Sequence, residues 1–522
     1  MTEEQSWKPA SNAWLVAMIV TIAVFMEILD TTIVNVALPH IAGSLSSSYD
    51  ESTWVLTSYL VANGIVLPIS AFFTRVFGRK RFFLICIVMF TVCSLLCGLA
   101  RELWQIILFR VLQGFFGGGL QPIQQSVLLD YFKAEDRGKA FGLSSIAVIV
   151  APVLGPTLGG WITDSYSWRW VFFINIPVGI ITVVILSQLL EDPPWQRRWA
   201  ADKLKIDYIG IGLIALGLGC MQVMLDRGED DDWFSSLFII TFGMLALIGL
   251  TGAIFWLLYA RKPVVNLRVM QDRNFWVACV LMAGMAMTLY GSAVIIPQLA
   301  QQVLGYTATW SGLILSPGAL VIIMTIPLLL KLMPLVQTRW LIAFGFSSLC
   351  ISFIYCSSLT PNVDFTTLVL MRIAQTFGLG FLFVPLTTIA FVTIPQRLNS
   401  DASALFTMFR NVSGSIGIAL STAMVTQRQQ THSAYLAYHM SLFDEPFNQT
   451  LKEWAQSTKD FSTMTGDYIS IASGKLWKEM LTQAHILAYI DVFLALSLLA
   501  LLLLPFCLLL SPVKSAGSPG AH

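Results

Sequence analysis

Charge is what this chain has least of. Only 12% of its 522 residues are Asp, Glu, Lys or Arg, while 56% are hydrophobic and the mean hydropathy is +0.73. An ordinary soluble domain carries roughly 25% charged residues. A soluble protein this apolar could not cover its surface, whereas a lipid-facing one need not. The net charge of +1 offers no footing for nucleic acid. Nucleotide chemistry is missing too: there is no Gly-x-x-x-x-Gly-Lys-Ser/Thr loop, which excludes an ATP-driven pump acting alone. The glycines from Gly114 to Gly119 and from Gly210 to Gly217 lie within apolar runs and read as helix packing. No His-Glu-x-x-His motif and no Ser/His/Asp arrangement appears, so no enzyme chemistry is expected. The eight cysteines all lie in apolar runs, without Cys-x-x-Cys spacing, and read as small apolar core residues. No cleavable signal peptide is expected, because the first apolar run, from Trp14, contains Glu27 and Asp30.

What the chain does have is long apolar runs. Candidate membrane helices fall at 14–38, 54–74, 82–100, 104–129, 138–160, 169–190, 207–226, 235–259, 274–298, 309–331, 340–359, 365–391, 402–426 and 484–510. This predicts an all-α integral membrane protein with fourteen transmembrane helices. With the N-terminus inside, the even-numbered loops and termini collect twenty basic residues. These are Lys8, Arg75, Arg79, Lys80, Arg81, Lys133, Arg137, Lys139, Arg197, Arg198, Lys203, Lys205, Arg261, Lys262, Arg268, Arg273, Lys331, Arg339, Arg397 and Lys514. The short opposite loops hold Arg101, Arg169 and Arg227, so both termini are expected in the cytoplasm. One external connection, 427–483, is long, polar and mildly amphipathic. It reads either as a docking surface folded into short helices on the outer face or as a flap over the exit.

An internal repeat organises the helices. Arg110-Val-Leu-Gln113 recurs as Arg372-Ile-Ala-Gln375, and Gly117 and Gly119 as Gly378 and Gly380. At the 262-residue offset of the arginines, Ala140 also meets Ala402 and Gly155 meets Gly417. Helices four and five therefore correspond to twelve and thirteen. That gives a six-helix half over 1–190, an inserted pair within 191–273, a second half over 274–511 and a tail over 512–522.

Several motifs carry a family likeness. The first helix reads Leu29-Asp30-Thr31-Thr32-Ile33-Val34-Asn35-Val36-Ala37-Leu38-Pro39. The fourth carries Arg110-Val-Leu-Gln-Gly114, and the fifth ends Gly155-Pro156-Thr157-Leu158-Gly159-Gly160. Trp168-Arg169-Trp170 and Ile174-Asn175-Ile176-Pro177 follow. Together these resemble the fourteen-helix drug:proton antiporters of the major facilitator superfamily, of the EmrB/QacA type, along nearly the whole chain. The resemblance implies two parallel six-helix halves around a mid-membrane cavity. It further implies proton-driven efflux of amphipathic organic compounds across the inner membrane, with no cofactor beyond the proton gradient. A periplasmic adaptor (a membrane fusion protein) and an outer-membrane channel are implied as partners. The chain departs from the superfamily between helices two and three. Gly78-Arg79-Lys80 match, but Arg75 stands where an acid is usual and Ala71 replaces a glycine, which puts the usual latch in question.

The residues can also be read on physical grounds alone. An ionisable group within the bilayer is costly unless it is paired or hydrated. Glu27 and Asp30, three apart on one helix, share a face and are candidates for proton loading; a structural pair is the other reading. Arg110 stays charged, either tuning a nearby carboxylate or tying helices one and four together. Asp491 is a second proton-site candidate, and Arg372 and Arg410 are weaker ones. Gly155, Pro156, Gly159 and Gly160 read as a bending point or as close packing, and Gly78 and Arg79 as part of the conformational latch. Asn35, Trp54, Tyr59, Asn63, Gln113, Gln121, Gln124, Arg410 and Asn411 are expected to line the substrate cavity, or to bond helix to helix. A specific exporter of a metabolite, siderophore or fatty acid, or an importer, stays open as the alternative.

Overall fold

The structure, a computed structural model, describes residues 9–193, 206–260, 263–361, 363–440, 445–461 and 468–512. Lys8, Arg197, Arg198, Lys203, Lys205, Arg261, Lys262, Lys514 and the tail beyond Pro512 lie outside them. Every regular element among the described residues is helical. In lipid this follows from the backbone, since each N–H and C=O must bond within its own segment.

The long helices are α1 (Ala13–Ser44), α2 (Tyr49–Phe77), α3 (Arg79–Leu99), α4 (Leu103–Tyr131), α5 (Ala134–Ser165), α6 (Trp170–Leu189) and α7 (Tyr208–Arg227). They continue as α8 (Leu237–Tyr259), α9 (Arg273–Val303), α10 (Ala308–Leu332), α11 (Thr338–Cys356), α12 (Phe365–Ala390), α13 (Asn399–Tyr438) and α14 (Tyr468–Leu508). Thirteen of them are long and apolar enough to cross a membrane. The exception is α13, a helix of 40 residues that carries Asp401, Arg410, Asn411 and a polar end. Its apolar side is nonetheless packed against α2, α9 and α14.

The two halves build the same contacts. In the first half α1 packs on α5, α2 on α4 and α3 on α6. In the second, α9 packs on α13, α10 on α12 and α11 on α14. The halves meet through α2 against α13 and α5 against α10, a swap that respects the repeat. The inserted pair stands at the seam: α7 touches α2 and α13, and α8 leans on α7. There Gly217 and Gly249 bring two backbones together, leaving no room for a Cβ at either position. Both α4 and α12 break their α-helical run at the repeated glycines, near Gly118 and Phe381.

The polar connection at 427–483, expected to fold as short helices, is mostly helix among the described residues. Polarity ends the apolar run near residue 426, but α13 goes on to Tyr438 and α14 begins at Tyr468. Nothing in Gln427–Tyr438 breaks a helix: that stretch holds neither glycine nor proline. A separate helix, Glu445–Phe461, buries Leu451 against α14. At about 1.5 Å per residue, α14 with its 41 residues is roughly twice the ~30 Å of a bilayer core.

Candidate functional site

Two carboxylates on α1 face different surroundings although they are one turn apart. Asp30 is 1% exposed and pairs with Arg110 of α4 at 2.5 Å. It also accepts from Gln113 Nε2 at 3.1 Å and Asn175 Nδ2 at 2.6 Å. Arg110 in turn donates to the Val55 carbonyl at 3.1 Å and lies over the Tyr59 ring at 4.1 Å. This buried network ties α1, α2, α4 and α6 together, with Arg110 Nη2 left without a hydrogen-bond partner among the described residues. Such a pair holds only if the remaining lone pairs are satisfied, and Gln113 and Asn175 do that for the carboxylate.

Glu27 meets no cation directly. Its carboxylate accepts from Tyr59 Oη at 3.2 Å, Asn63 Nδ2 at 3.0 Å and Gln121 Nε2 at 2.6 Å. The carbonyl of Gln121 accepts in turn from Arg410 of α13 and, at 3.4 Å, from Asn411. One glutamine therefore relays between a carboxylate of the first half and a guanidinium of the second.

Glu27 lies on the wall of the main cavity, about 410 Å³, between the halves. Thr31 and Asn35 of α1, Tyr59 and Asn63 of α2, Pro152 and Pro156 of α5, and Asn411 and Ser415 of α13 share the wall. Tyr290, Gln298, Gln301 and Gln302 of α9 close the other side, and Gln222 of the inserted α7 also reaches in. Among the described residues the lining holds no lysine and no arginine.

The opposite end of the bundle is shut by contacts across the halves. Arg75 Nη1 bridges both carboxylate oxygens of Asp401 at 2.7 and 2.8 Å. Arg79 pairs with Asp130, which also accepts from Asn399 Nδ2 at 2.8 Å. Ser126 and Ser400 are 3.2 Å apart, and Thr407 donates to Gln125 at 3.1 Å. Phe391 stacks among Phe141, Phe275 and Phe406 behind them. Gly78 makes this corner possible: at φ +82° it turns α2 directly into α3, in a region that disfavours side chains. At Arg75, where an acid is usual, the base finds its acid on α13, a charge pair across the halves.

The expected site residues divide accordingly. Glu27, Asn35, Tyr59, Asn63, Gln121 and Asn411 line the main cavity. Four expected there do not. Gln113 serves Asp30, and Gln124 is bonded to Thr21 and Ser144. Arg410 sits behind Gln121, and Trp54 lies beneath Arg227 at 5.6 Å. Asp491 lies apart from both carboxylates of α1. It pairs with His432 at 2.9 Å and Arg428 at 3.6 Å beside the polar end of α13, partly exposed. Gly155 and Gly159 press on Thr32 and Ile33 of α1, Pro156 lines the cavity, and a Cβ added at Gly160 would meet nothing within 4 Å. Sequence reasoning missed Gln301, Gln302 and Tyr290. The first two follow Gln298 at three- and four-residue spacing, a one-sided set of amides in an apolar run that could have revealed them.

Two like halves around a central cavity, in a bundle of membrane-length helices, make this protein a multi-pass membrane transporter. Residues 20–418 match the model of the Major Facilitator Superfamily. The chain is 38% identical over 462 residues to the multidrug export protein EmrB of Haemophilus influenzae, covering 87% of this chain and 89% of that one. It is 35% identical over 519 residues to EmrB of Escherichia coli K12, covering 99% of each. It is also 34% identical over 513 residues to the fatty acid resistance protein FarB of Neisseria gonorrhoeae, covering 98% of this chain and 99% of that one. Among solved structures, the human organic anion transporter MFSD10 shares the fold at TM-score 0.57 and 10% identity, over 94% of this chain and 99% of that one. The chain belongs to the major facilitator superfamily, and within it to the EmrB-like group of multidrug efflux permeases.

Proposed function

We propose that the protein exports amphipathic organic compounds across the inner membrane in exchange for protons, by alternating access. The observation that carries this reading is Glu27, a carboxylate on the cavity wall held by Tyr59, Asn63 and Gln121 and paired directly with no cation. A proton and a bound compound can both reach it. Loading it with a proton removes the charge that Arg410 faces through Gln121, which loosens one link between the halves. Asp30, sealed with Arg110, acts as a positioning pair that sets the tilt of α1 against α4. The latch of Arg75 with Asp401 closes the cytoplasmic end in this state. A lining of aliphatic side chains, amides and two tyrosines, without lysine or arginine among the described residues, suits neutral and cationic amphiphiles better than fatty acids.

The test is drug-induced proton movement in proteoliposomes. Glu27→Gln is expected to abolish proton release on drug addition, while the purified protein keeps its thermal midpoint. Undiminished proton flux in that variant overturns the assignment. The EmrB relatives and the outer helix Glu445–Phe461 support a second element of the reading, an adaptor protein docking at that end and leading to an outer-membrane channel. Replacing this helix by a Gly/Ser linker is expected to abolish adaptor pull-down and spare vesicle transport. Retained pull-down, or lost vesicle transport, counts against docking.

A further inference from the structure

Arg372 of α12 is fully buried and forms no ion pair among the described residues. Its Nη1 reaches Ser292 Oγ and Gln375 Oε1, each at 3.2 Å. Its Nε and Nη2 have no hydrogen-bond partner among the described residues. The guanidinium cannot shed its proton at any ordinary pH, and a buried charge without a counter-charge is among the costliest features a protein can hold.

The twin arginine shows what is missing. Arg110 occupies the same place in the first half, beside Gln113 as Arg372 is beside Gln375. Its counter-charge is Asp30. The 262-residue offset that maps Arg110 on Arg372 maps Asp30 on Ser292, and Ser292 is the residue Arg372 touches. The carboxylate has been replaced by a hydroxyl, two non-hydrogen atoms smaller and one bond shorter in reach.

Acids are scarce along the apolar helices of the second half. Between Arg273 and Gln427 the chain holds only Asp364 and Asp401. Asp364 caps the exposed start of α12, and Asp401 is taken by Arg75. On α14, Asp491 is engaged by His432 and Arg428. Glu27, across the seam, is already linked to the other unpaired arginine, Arg410, through Gln121. Arg372 does not line the main cavity, so the acid group of a transported compound does not reach it.

We propose that Arg372 and Ser292 form a binding site for one small monovalent anion of the size of chloride, held between α9 and α12 in the place of the carboxylate that Asp30 provides in the other half. The Ser292 hydroxyl, which here donates to the Leu289 carbonyl at 3.2 Å, can rotate to donate to the ion. The site is independent of the proton-coupling assignment, because it touches neither Glu27 nor the cavity.

The test is the thermal midpoint of the full-length protein in detergent, in sodium chloride, bromide or gluconate at equal ionic strength. Chloride and bromide are expected to raise it by roughly 2–4 °C over gluconate, and saturably. Arg372→Gln is expected to remove the difference. Ser292→Asp is expected to remove it as well, with the midpoint in gluconate rising to the chloride value. Equal midpoints of the natural protein in chloride and gluconate overturn the proposal. A chloride effect that survives in Arg372→Gln overturns it too, and that arm decides the matter if Ser292→Asp fails to fold.

Discussion

Arg110 and Arg372 stand at equivalent places in the two halves, yet one faces Asp30 and the other Ser292. Around them the helix contacts repeat: α2 with α4 against α10 with α12, and α1 with α5 against α9 with α13. The scaffold is thus duplicated and the chemistry is not. Both membrane carboxylates of α1 lie in the first half, while the helix cores of the second carry arginines. Packing tolerates symmetry because small residues and apolar stripes are interchangeable. A buried charge is retained only where something compensates it or uses it.

Breaking that comparison gives the largest expected effect. Arg110→Gln strands Asp30 among neutral partners and is expected to cost about 3–5 kcal/mol, as removal of one member of a buried pair does. Arg372→Gln strands nothing and is expected to cost far less. Chemical denaturation of the two variants side by side checks this, and equal losses would show that the halves do not differ as described. The latch comes next. Reversing one charge, Arg75→Asp or Asp401→Arg, is expected to abolish most transport in vesicles, and the double reversal to restore it. If the double variant stays dead, the contact is a local fit and not a charge pair across the halves.

A finer comparison concerns the twin glycines. A Cβ on Gly417 would sit 2.5 Å from the Met287 Cα, which cannot yield. One on Gly155 would strike the Thr32 hydroxyl at 2.1 Å, an atom that can rotate away, though the Thr32 Cβ at 2.6 Å cannot. Gly417→Ala is therefore expected to cost about 1–3 kcal/mol and Gly155→Ala somewhat less. Gly160→Ala, with open space at the position, is expected to stay within about 0.5 kcal/mol. Thermal midpoints of the three variants rank them, and a costly Gly160→Ala would mean that the helix bends there in another state.

Much of this was legible before any coordinates. The helix positions followed from apolar runs, and the repeat from Arg-x-x-Gln with its glycines. The branch followed from the first- and fifth-helix motifs. The candidate site was legible in type but not in partnership. Glu27 and Asp30 read as one cluster because three-residue spacing puts them on one face, yet a 100° turn per residue leaves them about 60° apart. That angle is enough to aim one at Arg110 and the other at the cavity. Gln113, Gln124 and Arg410 looked like cavity residues because polarity in an apolar helix does not say which neighbour satisfies it. The polar ends of α13 and α14 fell outside the apolar runs because hydropathy marks where lipid stops, not where hydrogen bonding stops.

The sequence by itself determined the solvent, the number of long apolar runs and the duplication. Each is a property of composition or period along one chain. Only the tertiary structure decided which carboxylate is sealed and which is open. It also decided that Arg75 finds its acid 326 residues away in Asp401, and that Arg372 finds none. Those outcomes depend on distances of a few ångströms between helices far apart in the chain. Coulombic and hydrogen-bond energies in a low-dielectric interior are set at that scale.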